Sequence, residues 1–447
     1  MLSATALAGN LPVREFQLNN GLKLIVIEDH RAPIVVSQVW YKVGSSYEHD
    51  GITGISHVLE HMMFKGTKKH SAGEFSRIIS ENGGRENAFT GRDYTAYFQT
   101  LEKSRLPVSF ELEADRMRNL LLPEEEFLKE VQVVMEERRL RTDDNPQALT
   151  REQFNATAFL NSPYRNPIIG WMDDLENLKV TDLSSWYKRW YAPNNATVVV
   201  AGDVEPAHVL TLANTYFGPL QPSVIEPTKP RREIKQQGTR RITVRVPAEV
   251  PFLMMGYKVP VLPTKPDSWE PYALSMLAGV LDGGASSRLS RDLVRGTQVA
   301  AAAGAGYNPY DRQDSLLLLS GTPTPSHTIQ ELEAALRDQL RLLREELVDE
   351  EELQRVKAQV VAGYVYGQDS QFYQAMQLGS LETIGLDWRV HNEYVERIRA
   401  VTAEQVKAVA EKYLVDDGLS LAILEPLPRQ DTGSRRQPAS RGTAHAH

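Results

Sequence analysis

The chain contains no cysteine. Disulfide staples, thiolate metal sites and cysteine nucleophiles are therefore excluded. At 447 residues it needs no staples, so this absence does not choose between a reducing and an oxidising compartment. No run of about 18 or more apolar residues occurs, and no membrane span is expected. The start, residues 1–10, includes Ala6-Leu7-Ala8 but lacks a charged n-region and a full apolar h-region, so it reads as a start or scar rather than a working signal peptide. Charge of one sign is also missing: the formal net charge of -8 is spread along the chain without a long block. A basic stripe of the kind that more often marks a nucleic-acid binder is absent, so no nucleic-acid partner is expected.

What is present suits a soluble α/β protein of two or more domains, with 41% hydrophobic and 24% charged residues. Phe16 and Leu18 lead into Asn20-Gly21, a hairpin signal, followed by Leu22, Leu24 and Val26 on one face. A second strand alternates Val35, Val39, Tyr41 and Val43, after which the period becomes helical. Helices are expected over Glu124 to Arg141 and Thr181 to Trp190, then a strand over Thr197 to Ala201. Pro219, Pro222, Pro227 and Pro230 mark an extended linker, beyond which Ile242, Val244 and Val246 restart a strand.

The halves read as copies. Val180-Thr181 opens a helix that passes through Tyr191 to a strand and Glu205-Pro206; Val401-Thr402 opens one that passes through Tyr413 to a strand, Leu419 to Leu424, and Glu425-Pro426. Thr402 with Gln405 has capping-box spacing. The expected organisation is an extension (1–14), a first α/β domain (15–218), a linker (219–239), a second homologous α/β domain (240–426) and a flexible tail (427–447) holding His445 and His447.

Chemistry is concentrated in GISHVLEHMMFKG, Gly54 to Gly66. Ile55, Val58, Leu59, Met62 and Met63 form an apolar helix face, and Gly66 stands as its stop. His57 and His61 are one turn apart and project from the same side, with Glu60 beside them. Two imidazoles so spaced suit zinc, and an adjacent carboxylate can take a proton from bound water. The bland alternative is a solvated face carrying two histidines. A third ligand is needed, and the helix from Glu124 offers Glu130, Glu136 and Glu137, with Phe127, Val131 and Val134 on its packing side. Spacing alone does not choose among these acids.

HVLEHMMFKGT, His57 to Thr67, resembles the inverted zinc motif of the pitrilysin/insulinase family of peptidases, and the layout resembles its short processing-peptidase-like bacterial members. GGRENAFTGRDYTAYF, Gly83 to Phe98, and GGASSRL, Gly283 to Leu289, are similar to further family stretches. The resemblance implies two homologous α/β sandwich domains forming a clam-like pair, one zinc ion per chain, and Glu60 as general base. It implies Glu137 as third ligand within EVQVVMEE, Glu130 as the acid supporting the metal shell, and Asn87, Ala88 and Phe89 as the edge strand that receives an extended peptide. The bland alternative for that strand is plain hairpin structure.

One departure matters. Family members that act alone or as identical pairs carry an Arg and a Tyr after the SSRL signature, where this chain has Val294 and Ala301; Arg295 and Tyr307 are near but out of register. Either the register slips here or the chain lacks the pair; the second case implies a hetero-oligomer with a homologous subunit that supplies it, the alternative being a homodimer. The expected activity is zinc-dependent endopeptidase cleavage of short or unfolded peptides, in a bacterial periplasm or cytoplasm. The competing classes are a non-catalytic core or scaffold subunit and a chaperone-like peptide binder.

Overall fold

The computed structural model describes residues 12–229 and 231–428. The expectations placed on residues 1–10, on Pro230, and on the tail from Arg429 with His445 and His447 lie outside the described residues. β1 (Val13–Gln17) starts inside the segment assigned to an extension, because Val13 pairs with Ile27 and packs on the sheet.

The first sheet runs β1-β2-β6-β3-β5-β4. Its other strands are β2 (Lys23–Glu28), β3 (Ile34–Tyr41), β4 (Arg85–Thr90), β5 (Thr95–Glu102) and β6 (Ala196–Gly202). The Asn20-Gly21 hairpin forms, with Gly21 at φ +89 donating its N–H to Leu18. Only glycine takes that conformation without strain.

The second sheet runs β7-β11-β8-β10-β9, with β7 (Arg240–Pro247), β8 (Phe252–Val259), β9 (Ala300–Gly306), β10 (Ser315–Pro323) and β11 (Leu419–Leu427). Without β1 the first sheet has the same pattern. In each, the first and last strands in sequence lie parallel and the rest follow antiparallel. The duplication read from one short segment thus extends through the whole topology. The Thr402–Gln405 capping box is made, at 3.3 and 3.0 Å.

The central strands of the first sheet are covered on both faces, and this explains the unbroken apolar runs Leu24-Ile25-Val26-Ile27 and Val198-Val199-Val200-Ala201. Leu24, Val26, Val35, Val39, Tyr41, Val198 and Val200 face the first half's own helices. Ile25, Ile27, Val36, Trp40, Val199 and Ala201 face the opposite way, against Ala375 and Leu378 of a helix lent by the second half, Gln371–Thr383. Gly379 of that helix lies so close to Trp40 that a Cβ would fall 2.2 Å from its Nε1. The exchange is mutual. Helix Pro146–Ala158 of the first half lays Phe154 and Ala158 on Phe252, Met254, Leu316, Ala422 and Leu424.

Phe154 is fully buried, and Gly256 of β8 leaves room for its ring, 2.7 Å from where a Cβ would be. Phe154→Ala is expected to cost about 3–5 kcal/mol, the range for emptying a buried aromatic site. Urea unfolding of the variant beside the parent checks it; a loss under ~1 kcal/mol would contradict the packing role. The linker is extended as expected but tethered. Glu233 accepts the backbone N–H groups of Leu160, Asn161 and Ser162 at 2.9–3.1 Å.

Candidate metal centre

The motif forms a helix, Ile55–Met62, with Ile55, Val58, Leu59, Met62 and Met63 all buried. Gly66, at φ +103, follows the turn that ends it. Its N-terminus has Gly54 at φ +87 and no side-chain cap of its own. Glu48 supplies one from outside the helix, accepting the N–H groups of Gly54 at 2.8 Å and Ser56 at 2.9 Å. A carboxylate there satisfies orphan donors and complements the helix dipole, yet burial pushes it up to about 7.

The acidic helix is Glu124–Arg138, continued as a wider turn to Asp143. Phe127, Val131 and Val134 are buried as expected. Glu136 points away, with 65% of its side chain exposed and Arg139 as its partner. Glu137 turns inward. Its Oε2 lies 3.8 Å from His57 Nε2 and 3.6 Å from His61 Nε2, and the two rings meet edge to face at 4.9 Å.

One ligand atom from each of His57, His61 and Glu137 falls within 4.8 Å of the others. Around a zinc ion with bonds of about 2.0–2.2 Å, tetrahedral ligand atoms stand roughly 3.3–3.5 Å apart, so the donor set fits with little movement. Two imidazoles and a carboxylate also leave a fourth position open.

The surroundings prepare these groups. Burial, and the neighbouring His61, lower His57 to about 4, so its ring is neutral at pH 7. Its Nδ1 is buried without a hydrogen-bond partner. For His61 burial acts downward, but Glu130 and Glu137 outweigh it and raise the ring to about 9. Glu130 accepts from His61 Nδ1 at 3.2 Å and from Lys65 at 2.6 Å, so it stands behind the histidine and not in front of it. Such a partner fixes ring orientation. Glu137 is lowered, first by its bond to His61, and its other oxygen meets Arg141 at 2.5 Å.

His61 must lose its proton before Nε2 can bind a cation. Zinc affinity is therefore expected to strengthen as pH rises towards about 9 and to weaken as pH falls, with a proton released per zinc at neutral pH. Calorimetry in two buffers of different ionisation enthalpy measures that proton. Affinity flat across the neutral range would refute the assignment.

Glu60 sits between the histidines and β4, where Thr90 donates to its Oε2 at 2.5 Å. Burial raises it above the usual carboxylate range although that bond opposes, the direction a general base needs. β4 is an edge strand, paired with β5 alone among the described residues. Asn87 is exposed, and Ala88 packs towards the core of the first half. Phe89 meets Trp40 at 5.5 Å and Tyr94 at 6.0 Å, so its ring is committed to packing. The outer main-chain edge of β4 pairs with no other described strand, although the Ala88 N–H there is held by the Asn87 side chain at 2.8 Å.

In the second half Val294 packs partly on the core and Ala301 is exposed on β9. Arg295 is exposed, while Tyr307 spends its hydroxyl on the carbonyl of Pro260 at 2.6 Å. Helices Glu270–Asp282 and Glu350–Gly367, which answer to the histidine and acidic helices by order, contain no histidine. Glu48 and Thr90 were not found from the sequence, because neither shares a helix or a spacing rule with the residues it supports. Arg141 could have been, lying four residues after Glu137.

The family model described as Insulinase (Peptidase family M16) matches residues 23–171, and that described as Peptidase M16 inactive domain matches 177–360. The border between them precedes the linker, although Val180–Trp190 and β6 complete the first half. The zinc protease PqqE of Helicobacter pylori is 32% identical over 92% of each chain. A crystal structure of a protease from Helicobacter pylori superposes with a TM-score of 0.88 at 31% identity, covering 93% of this chain and 100% of that one. A peptidase M16 inactive domain from Pseudomonas fluorescens shares the fold, with a TM-score of 0.83 at 16% identity over 94% and 99% of the two chains.

Proposed function

Since this chain belongs to the insulinase family of peptidases, M16, we propose that it is a zinc endopeptidase for short or unfolded peptides. The observation that carries the reading is the convergence of His57, His61 and Glu137 from two helices onto one point, with Glu60 beside it. Those three residues would hold one zinc ion, which when bound polarises a scissile carbonyl and acidifies water. Glu60 then takes a proton from the attacking water and delivers it to the departing amine. Thr90 orients the Glu60 carboxylate, and Glu130 fixes the His61 ring. An extended peptide adds to the free edge of β4 by main-chain hydrogen bonds, which favours unfolded segments of any sequence.

Val294 and Ala301 leave the second half without the Arg/Tyr pair, so the active species is a hetero-oligomer with a homologous subunit, a homodimer being the alternative. Full activity of the purified chain alone would refute that partner. The compartment is a bacterial periplasm or cytoplasm; no helix among the described residues is long and apolar enough to cross a membrane.

The test is metal analysis followed by cleavage of a quenched peptide with and without a chelator, alone and with proteins co-purified from the native source. Chelation should abolish cleavage and added zinc restore it. Zinc with peptide affinity but no turnover would favour a peptide binder, and no zinc a scaffold subunit.

A further inference from the structure

A buried carboxylate joins the two halves close behind the site. Asp93, 3% exposed, lies in the turn between β4 and β5. Its Oδ1 accepts from Ser46 Oγ at 2.6 Å and Arg312 Nε at 3.1 Å; its Oδ2 accepts the backbone N–H of Arg312 at 3.1 Å and the hydroxyl of Tyr164. Arg312 also donates to Ser46 Oγ at 2.8 Å, and its guanidinium lies 4.2 Å from the centre of the Tyr47 ring. The Tyr164 oxygen accepts the N–H groups of Arg312 and Gln313 at 3.0 and 3.2 Å. Arg312 comes from the loop between β9 and β10 of the second half; every other side chain in this clasp comes from the first.

The clasped segments are the two supports of the histidine helix. The turn holding Asp93 follows Thr90, which donates to Glu60. The turn Ser45–Tyr47 leads into Glu48, which caps Gly54 and Ser56. Ser45 and Ser46 donate their N–H groups to Gly91 and Arg92 at 3.2 and 2.7 Å, so the supports are tied to each other. There is no slack between them, since a Cβ on Gly44 would fall 2.4 Å from the Gly91 oxygen.

We propose that Arg312 is a positioning residue contributed by the second half. By holding Asp93 and Ser46 it fixes Thr90 against Glu60 and Glu48 against the helix N-terminus, so the site is set only while the halves are clasped. Withdrawing the guanidinium would leave the buried Asp93 side chain without its cationic partner, a costly arrangement. The inference rests on the peptidase reading above for what the positioning accomplishes.

The test uses the full-length, zinc-loaded chain, with its co-purified partner if one is needed for turnover. Arg312→Ala should raise amide exchange of segments 43–58 and 86–94 by about tenfold or more, leaving the core strands of the second sheet unchanged. Zinc content should stay, and kcat on a quenched peptide should fall by about 100-fold with a smaller change in KM. Arg312→Lys keeps the charge without the planar fork and should recover part of both effects; it also serves if the alanine variant folds poorly. Thr90→Val should lower kcat, and the Arg312/Thr90 double variant should be no slower than the worse single one. Unchanged exchange in those segments, or losses that multiply in the double variant, would overturn the proposal. A wild-type complex that binds zinc and cleaves nothing would refute the peptidase reading alone, because exchange reports the clasp without turnover.

Discussion

Glu60→Gln is expected to lower kcat by about 10³-fold or more while the protein keeps its zinc. General acid–base catalysis contributes roughly 10²–10⁴-fold, and the upper part applies because the neighbouring acid, Glu137, itself belongs to the candidate ligand set. A 10³-fold loss corresponds to about 4 kcal/mol of barrier. Glutamine has the same shape and can still accept from Thr90, so the helix and its histidines should remain as they are. The amide cannot take a proton from water. Kinetics on a quenched peptide, paired with metal analysis of the same sample, separates the two properties. Appreciable residual turnover would remove Glu60 from the general-base role, and loss of zinc would make it a ligand.

His61→Ala should lose both metal and turnover. The imidazole donates Nε2 towards the site, and its Nδ1 ties the site to Glu130 and so to Lys65. Loss of a supporting partner alone costs about 10–100-fold in metal affinity, so loss of the ligand itself should cost more. Dialysis against a weak chelator should then strip the variant and leave the parent loaded. The fold should survive, because the His61 side chain is 22% exposed and lies outside the buried face of its helix. A variant that retains stoichiometric zinc would mean that His61 is not a ligand.

Much of this was legible along the chain. The helix of His57 and His61, its apolar face, the hairpin at Gly21 and the capping box at Thr402 all follow from spacings of a few residues. Such spacings are set by 3.6 residues per turn and by turn geometry, so sequence encodes them directly. Spacing places β1, β2, β3, β6, β7 and β11, and the resemblance β4, whereas β5, β8, β9 and β10 come from the structure. Ile25, Val36 and Val199 lie on the opposite faces, which helix Gln371–Thr383 of the other half covers.

By itself, then, the sequence determined the histidine pair with its glutamate, the duplicated halves and the linker, since each is a local pattern or a repeat of one. Spacing left Glu136 and Glu137 open, the resemblance pointed to Glu137, and the tertiary structure turns Glu137 towards the histidines. The structure alone decided that the halves exchange helices and that Arg312 reaches Asp93 across them. The reason is physical: which way a helix turns about its axis, and which distant loop closes on it, depends on packing between segments hundreds of residues apart, and no spacing rule spans that distance.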